Sequence, residues 1–401
     1  MLAVASSDSS RDLPGAPLAA IVPLLSCRGL TLGTARPQPT LLDTSQAVLT
    51  TSGRAALALA FRQLAIGAGD EVLVPAYHCI AITGPIRALG ATPISYRLRR
   101  DLSIDVADVA ARIGPRTRCV IAVHFFGFPS QLEELRRCCD EARVALVEDC
   151  AHAFYSPHAD VPVGRWGDFA VGSLMKFFPV YDGGCLVSFR RDIPDPGLRF
   201  KGWLFQAKAV VDPIERWAAW SPSLFARAVG GTIRSLRTVA KKSSPRLAER
   251  LADEGPSAAS GSLDFEPSWV DADISYAARF IVGRSAHARN MRRRRAAFTQ
   301  LLDGLGNIRG GVPLWSELPA GVVPYVFPFI LAQPETAFVA LRRAGVPMYR
   351  WEDVDVQSCD TSAYYHSRLV QFPCHQDLTD AQIRCLIATI KIVSNPAGSL
   401  C

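Results

Sequence analysis

The sequence predicts an α/β fold: a large domain with a mostly parallel sheet between helices, followed by a smaller C-terminal α/β domain. Three observations predict it. From residue 50 onward, short apolar runs alternate with amphipathic runs of helical spacing. The apolar runs, such as "EVLVPA" and "VALVED", are nearly continuous, as strands covered on both faces are. A chain of 401 residues that is 49% hydrophobic is large enough to bury one large core and a smaller one.

The elements follow in order. "GRAALALAFRQLA" is rich in helix formers with apolar spacing of three and four, and predicts the first helix. "GDEVLVPA" is a strand opened by a Gly-Asp turn, "CIAITGPIRALG" a helix ending at Gly90, and "ATPISYRL" a strand. "SIDVADVAARI" reads as a helix capped by Ser103. "RCVIAVHFF" is a strand, "PSQLEELRRCCDEAR" a helix starting at its proline and serine, and "VALVED" a short buried strand. Residues 203 to 242 read as basic helices carrying Trp203, Trp217 and Trp220, which we expect to cover the main domain or a subunit contact rather than a membrane surface. The Ser, Gly and Pro-rich stretch Ser243 to Pro267 is a loop or linker. From Asp271 we expect a long helix, then "YVFPFILA" as a strand, "PETAFVALRRAG" as a helix and a last helix from Thr379. This gives an N-terminal segment 1–48, a large domain 49–200, a helical insert and linker 201–270, and a small domain 271–401.

Composition excludes several classes of function. The net charge of +7 suits an anionic ligand but is equally that of an arginine-rich chain. The run Arg292 to Arg295 has no interleaved aromatics, so it predicts a solvated helix face and no nucleic-acid partner. The 11 cysteines lack CxxC pairs and Cys/His spacing, which predicts a reducing, cytoplasmic setting and no metal site. The start of the chain is a poor signal peptide, and no run of about 20 apolar residues is present.

Three places could carry chemistry. Asp149 ends a buried strand, where an ionised acid needs a cationic or hydrogen-bonding partner, unless it caps a helix. Ser52, Gly53 and Arg54 open the first helix, whose free N–H groups make an anion site, although many ordinary helices start at Ser-Gly. Lys176, in "SLMKFFPVYDGG", is the only lysine in the first 200 residues. A lysine in an apolar pocket loses its proton readily and condenses with carbonyls, which arginine cannot do; the plain alternative is a lysine reaching out from a strand end. Together, a phosphate cradle, a strand-end aspartate and a downstream lysine form the set that pyridoxal 5'-phosphate (PLP) requires. Strand ends on one edge of the sheet also bring Tyr77, Phe126 and Asp149 to a common mouth.

The stretches "TSGRAALALA", "GAGDEVLVPAYHC", "GATPISYRL", "RTRCVIAVHFFGFP", "VALVEDCAHAF", "GRWGDFAVGSLMKFFPVYDGG" and "FPCHQDLTDAQI" resemble, in order and spacing, the DegT/DnrJ/EryC1/StrS aminotransferases. The resemblance implies a PLP-dependent aminotransferase of fold type I. It implies Lys176 as the Schiff-base lysine, Asp149 as partner of the pyridinium nitrogen, and His152 near the ring hydroxyl. Ser52, Gly53, Arg54 and Ser173 fall on the phosphate-binding positions. The aromatic that stacks on the ring would fall near Cys79, with Tyr77 or His78 as substitutes, and Phe177 and Phe178 stand where a polar residue is common, implying a more apolar wall. Residues 203 to 262 match no part of the pattern. The resemblance further implies an amino acid donor such as glutamate or glutamine, a keto acceptor such as a nucleotide-linked keto sugar in polysaccharide or natural-product biosynthesis, and a homodimer. Elimination, racemisation or ring-forming PLP chemistry, and a non-catalytic PLP-binding sensor or scaffold, are the alternatives on the same frame.

Overall fold

A computed structural model of the chain describes residues 15–31, 38–44, 46–158, 161–243, 265–351 and 359–394. Its seven-stranded sheet has the order β1(Gln46–Thr50), β7(Gly184–Ser188), β6(Phe169–Ser173), β5(Ala145–Asp149), β4(Thr117–Val123), β2(Glu71–Pro75), β3(Thr92–Tyr96). Pairings from β6 through β5, β4 and β2 to β3 are all parallel; β7 and β1 add an antiparallel edge. The central strands are buried on both faces: every residue of β6 and β7 is buried, as are the last five of β4. Each such Val, Leu or Ile side chain contributes about 1.5–3 kcal/mol by leaving water. That is why these strands read as unbroken apolar runs. The sequence pattern does not announce β1, which is partly exposed along most of its length.

Helix α1(Gly53–Gln63) starts two residues after β1, with Ser52 as N-cap accepting a hydrogen bond from the Ala55 N–H. The helix between Asp101 and Ile113 starts later than expected. Asp105 caps Val106–Arg112 by accepting from the Asp108 N–H, while Ser103 is held back by the Asp101 carboxylate. Likewise the helix after Phe128 begins at Glu133, because Ser130 is committed to β4: its hydroxyl donates to the Val123 carbonyl, and its N–H to His124 Nδ1.

The second sheet has three antiparallel strands, β10(Leu369–Pro373), β9(Val326–Leu331) and β8(Gly311–Pro313). The expected long helix near its start is two, Tyr276–Gly283 and His287–Leu305. The break is tertiary in origin. Thr31 N–H donates to the Arg284 carbonyl and Ala286 N–H to that of Gly29, which pulls the chain out of the helix. Between the two sheets in sequence come helices α2(Trp203–Trp220) and α3(Leu224–Ser243). Helix α2 packs Phe205 and Ala209 on Tyr181, and Arg216 donates to the Val180 carbonyl, so part of this insert covers the large sheet's loops. Residues 244–264 of the expected linker lie outside the described residues.

The two sheets meet closely. Gly127 has φ +102°, and a Cβ there would sit 2.6 Å from the Tyr325 nitrogen and 2.7 Å from Pro324 Cα. No other residue lets the chain before β9 approach β4's exit loop. Beside it, Phe126 holds a left-handed backbone (φ 57°), an unusual strain for a non-glycine residue. That backbone directs its N–H to His152 and its carbonyl to the Tyr325 N–H.

His375, buried at the same junction, donates from Nε2 to the Ala20 carbonyl at 3.0 Å. Burial pushes its pKa down to about 3 from 6.5. The folded chain therefore refuses a proton there that the unfolded chain accepts, so His375 makes stability fall as pH drops below 6.5, by up to ~1.4 kcal/mol per pH unit. In urea unfolding at pH 7 and 5.5, the His375→Gln variant is expected to lose less stability over that interval than the parent chain. An equal or greater loss contradicts this assignment.

Candidate active site

Four segments converge at the carboxyl edge of the large sheet. Asp149 is the last residue of β5, and Lys176 ends the short turn Leu174–Lys176 that leaves β6. Ser173 closes β6 beside Gly184 of β7, and Ser52–Gly53–Arg54 open α1. Two glycines make this convergence possible. A Cβ on Gly184 would lie 2.2 Å from the Ser52 carbonyl carbon and oxygen, and one on Gly53 would lie 3.4 Å from Ser173 Cβ. The backbone of α1's first turn is thereby pressed against Ser173. Its leading N–H groups precede any possible intrahelical partner and carry the positive end of the helix dipole. Ser52 is not wholly free for a ligand, since its side chain caps the helix.

Lys176 and Asp149 are the centre of the site's electrostatics. Each keeps some accessible surface, yet each is enclosed deeply enough that burial is the leading influence on its proton. Burial lowers the pKa of Lys176, opposed by the Asp149 carboxylate and by Cys79, and assisted by Arg54. Burial raises the pKa of Asp149, opposed by the Lys176 cation, by the Ala151 N–H at 2.9 Å, and by His124. Asp149 is not a helix cap: the chain after it turns, and its carboxylate accepts from Ala151 two residues on. The ammonium also lies over the Tyr325 ring, 5.5 Å from its centroid.

His152 is 5% exposed and lies between aromatic rings, 4.6 Å from Tyr325 and 5.7 Å from Phe126. Its Nδ1 faces the Phe126 N–H at 3.2 Å and must accept, so its ring proton sits on Nε2. Burial, with the Lys176 cation, keeps the imidazole neutral by lowering its pKa well below the ordinary value.

Other expected residues fall elsewhere. Tyr77 is fully buried in a group with Phe125, Trp351 and Tyr365; Trp351 packs near both it and His152, and its hydroxyl has no partner among the described residues. His78 Nδ1 is bound to the Pro75 carbonyl. Cys79 is the member of that segment that couples to Lys176, Asp149 and Arg54. Phe177 and Phe178 do not line the site. They are 1% and 0% exposed and pack inward on Phe154, leaving Lys176 alone of the three to face the opening. The polar-to-apolar change after the lysine thus repacks the core instead of altering a substrate wall.

Two sets of residues escaped sequence reasoning. His124, Glu148 and Cys150 have ligand-type atoms within 4.8 Å of one another. His124 Nε2 already pairs with Glu148 at 2.8 Å, and the remaining Nδ1 and carboxylate oxygen take the Ser130 and Gly167 N–H groups, so the cluster braces β4 against β5. The second is Arg294. The run Arg292 to Arg295 is only in part a solvated face: Arg292 is exposed, but Arg294 is fully buried. Its reach to the Lys176 carbonyl, at 2.8 Å, could not be read from spacing, because the two are 118 residues apart.

This donor set fits PLP. The α1 N-terminus with Arg54 and Ser173 offers N–H, guanidinium and hydroxyl groups to a phosphate. Asp149 offers a carboxylate to a ring nitrogen, His152 an Nε2 proton to a ring hydroxyl, and Lys176 an amine to an aldehyde.

The fold is that of the PLP-dependent aminotransferases of fold type I. The chain superimposes with a TM-score of 0.63 on the Helicobacter pylori aminotransferase PseC, involved in the biosynthesis of pseudoaminic acid, at 15% identity over 94% of this chain and 98% of that one. It superimposes at 0.58 on the aminotransferase TlmJ of Streptoalloteichus hindustanus, at 21% identity over 87% and 85%. At these identities the likeness is one of fold. Residues 39–193 match the model of the DegT/DnrJ/EryC1/StrS aminotransferase family. The chain is 35% identical over 163 residues to the GDP-perosamine synthase of Vibrio cholerae, covering 40% of this chain and 44% of that relative. It is 37% identical over 144 residues to the dTDP-3-amino-3,4,6-trideoxy-alpha-D-glucose transaminase of Streptomyces venezuelae, covering 36% and 37%. The match thus spans less than half the length of these relatives.

The electrostatics make a directional prediction. The Asp149 charge favours the protonated amine, so its removal must lower the pKa of Lys176 further. Reductive methylation of Lys176, followed by peptide mass spectrometry across pH, is expected to show the Asp149→Asn variant reacting down to lower pH than the parent. A midpoint that stays put or rises would refute the coupling.

Proposed function

We propose that the chain is a PLP-dependent aminotransferase that moves an amino group from an amino acid, glutamate or glutamine, to the carbonyl of a nucleotide-linked keto sugar. The observation that carries this reading is Lys176 beside Asp149 at the strand ends, with the α1 N-terminus pressed against Ser173. The names of the relatives support the acceptor class, two of them being a GDP-sugar synthase and a dTDP-amino-sugar transaminase.

PLP, when bound, supplies an aldehyde and an electron-accepting ring. The chain does the rest. Ser52, Gly53, Arg54 and Ser173 hold the phosphate and so fix the position of the aldehyde relative to Lys176. Asp149 holds a proton on the ring nitrogen, a task that needs the carboxylate ionised; the nearby Lys176 cation and the Ala151 N–H oppose burial in that direction. His152 presents Nε2–H to the ring hydroxyl. Lys176 Nζ would hold the cofactor's aldehyde and, once unbound and unprotonated, would be the base placed to accept and give back the proton of the donor's α-carbon. Burial of Lys176 serves both roles, since an unprotonated amine is needed as nucleophile and as base. Solvent water would supply the oxygen with which the donor leaves as a keto acid, and the acceptor's carbonyl oxygen would leave as water as its carbon takes the amine and a proton.

The reading includes a cytoplasmic homodimer. The exposed aromatics Phe200, Trp203, Tyr276 and Phe280 would give such an assembly an apolar face. Among the described residues no helix is long and apolar enough to cross a membrane.

Purified chain incubated with PLP is expected to show a visible absorption band that glutamate abolishes as it releases 2-oxoglutarate. Lys176→Ala should lose the band and lower turnover by about a hundredfold to ten-thousandfold or more. Persistence of either in the variant would overturn the proposal.

A further inference from the structure

The Arg294 guanidinium is fully buried on helix His287–Leu305, and the contacts it makes are with neutral groups. Nε donates to Gln376 Oε1 at 2.8 Å, one terminal nitrogen to the Pro324 and Tyr325 carbonyls at 3.2 and 3.1 Å, and the other to the Lys176 carbonyl at 2.8 Å. Its flat face lies 4.6 Å from the centre of the Phe177 ring. Gln376 in turn donates from Nε2 to the Phe177 carbonyl at 2.8 Å. Two side chains of the C-terminal part of the chain therefore bind consecutive carbonyls of the turn that carries the candidate amine. A buried cation held chiefly by carbonyl dipoles is costly, and an apolar residue of similar volume would staple two parts of the chain at less cost. Its five donors in a rigid fork do what an apolar residue cannot: they set the orientation of three chain segments at once. One of those segments carries Tyr325, whose ring lies under the Lys176 ammonium and against His152.

We propose that Arg294 and Gln376 are positioning residues for Lys176, holding the two successive peptides that follow it, 176–177 and 177–178, so that the amine is presented in its enclosed place rather than relaxing toward water. This rests on the assignment of Lys176 as the reactive amine. The groups that face Lys176 are Asp149 at the end of β5, Cys79 after β2, Arg54 on α1 and His152 in the loop after β5. Arg294 touches the lysine's backbone carbonyl, so its action is through geometry.

The test is the pH profile of reductive methylation of Lys176 in the full-length chain, with formaldehyde and cyanoborohydride, in Gln376→Leu, Arg294→Lys and Arg294→Met. Released from its enclosure, the amine moves toward an ordinary lysine, so the positioning role predicts an upward midpoint in Gln376→Leu and Arg294→Lys, neither of which changes the charge at these positions. Turnover with PLP, glutamate and a keto-sugar nucleotide should fall roughly tenfold to hundredfold in kcat, with a smaller change in KM. An upward shift confined to Arg294→Met would mean that the cation's field, not its grip, matters, and would overturn the proposal. So would unshifted midpoints in folded variants, which would leave only a structural staple. If Arg294→Lys does not fold, Gln376→Leu decides alone. If Lys176 is methylated as predicted but no variant or parent turns over with PLP, the functional assignment fails while the positioning role stands.

Discussion

The structure depends on one electrostatic compromise: an amine and a carboxylate, Lys176 and Asp149, enclosed together where burial disfavours the charge of each. Burial favours the neutral form of each, and each opposes that tendency in the other. The amine is left easily deprotonated and the acid still able to ionise. Chemistry with carbonyls needs the first condition, and protonation of a pyridine nitrogen needs the second. A surface lysine and a surface aspartate would supply neither.

The large sheet and its helices can be seen as the frame that keeps this pair in place. Parallel strands bring Asp149 and Ser173 to the same edge, and glycine at 184 lets α1 begin against them. The second sheet is drawn in by the bare backbone of Gly127 and the strained backbone of Phe126. Through Tyr325, Arg294 and Gln376 it reaches the lysine itself. The site is therefore shared by two parts of the chain that are far apart in sequence. The family match ends at residue 193, yet residues beyond 290 touch the lysine's backbone.

Legibility in the sequence followed the range of the forces involved. The buried parallel strands and α1 were legible because their patterns are local and repetitive. Lys176 and Asp149 were legible because a lone lysine and a strand-end acid are chemically out of place in apolar runs. Helix starts at Asp105 and Glu133 were misplaced because Ser103 and Ser130, good caps by type, are occupied by Asp101 and by β4. Arg294 was misread as solvated because charge and helical spacing say nothing about a partner carbonyl 118 residues away. The inward turn of Phe177 and Phe178 was hidden for the same reason: only the packed core on Phe154 decides which side of the turn faces the opening. Antiparallel β1 was missed because an edge strand with partial exposure lacks the apolar signature of its neighbours.

Of the six lysines in the chain, Lys176 alone is expected to carry the amine that the site activates. Borohydride reduction of the chain incubated with one equivalent of PLP, followed by peptide mapping, tests it most directly. One pyridoxyl group per chain, on Lys176, is the expected result. A label spread over Lys201, Lys208 and Lys391, or absent from Lys176, would contradict it.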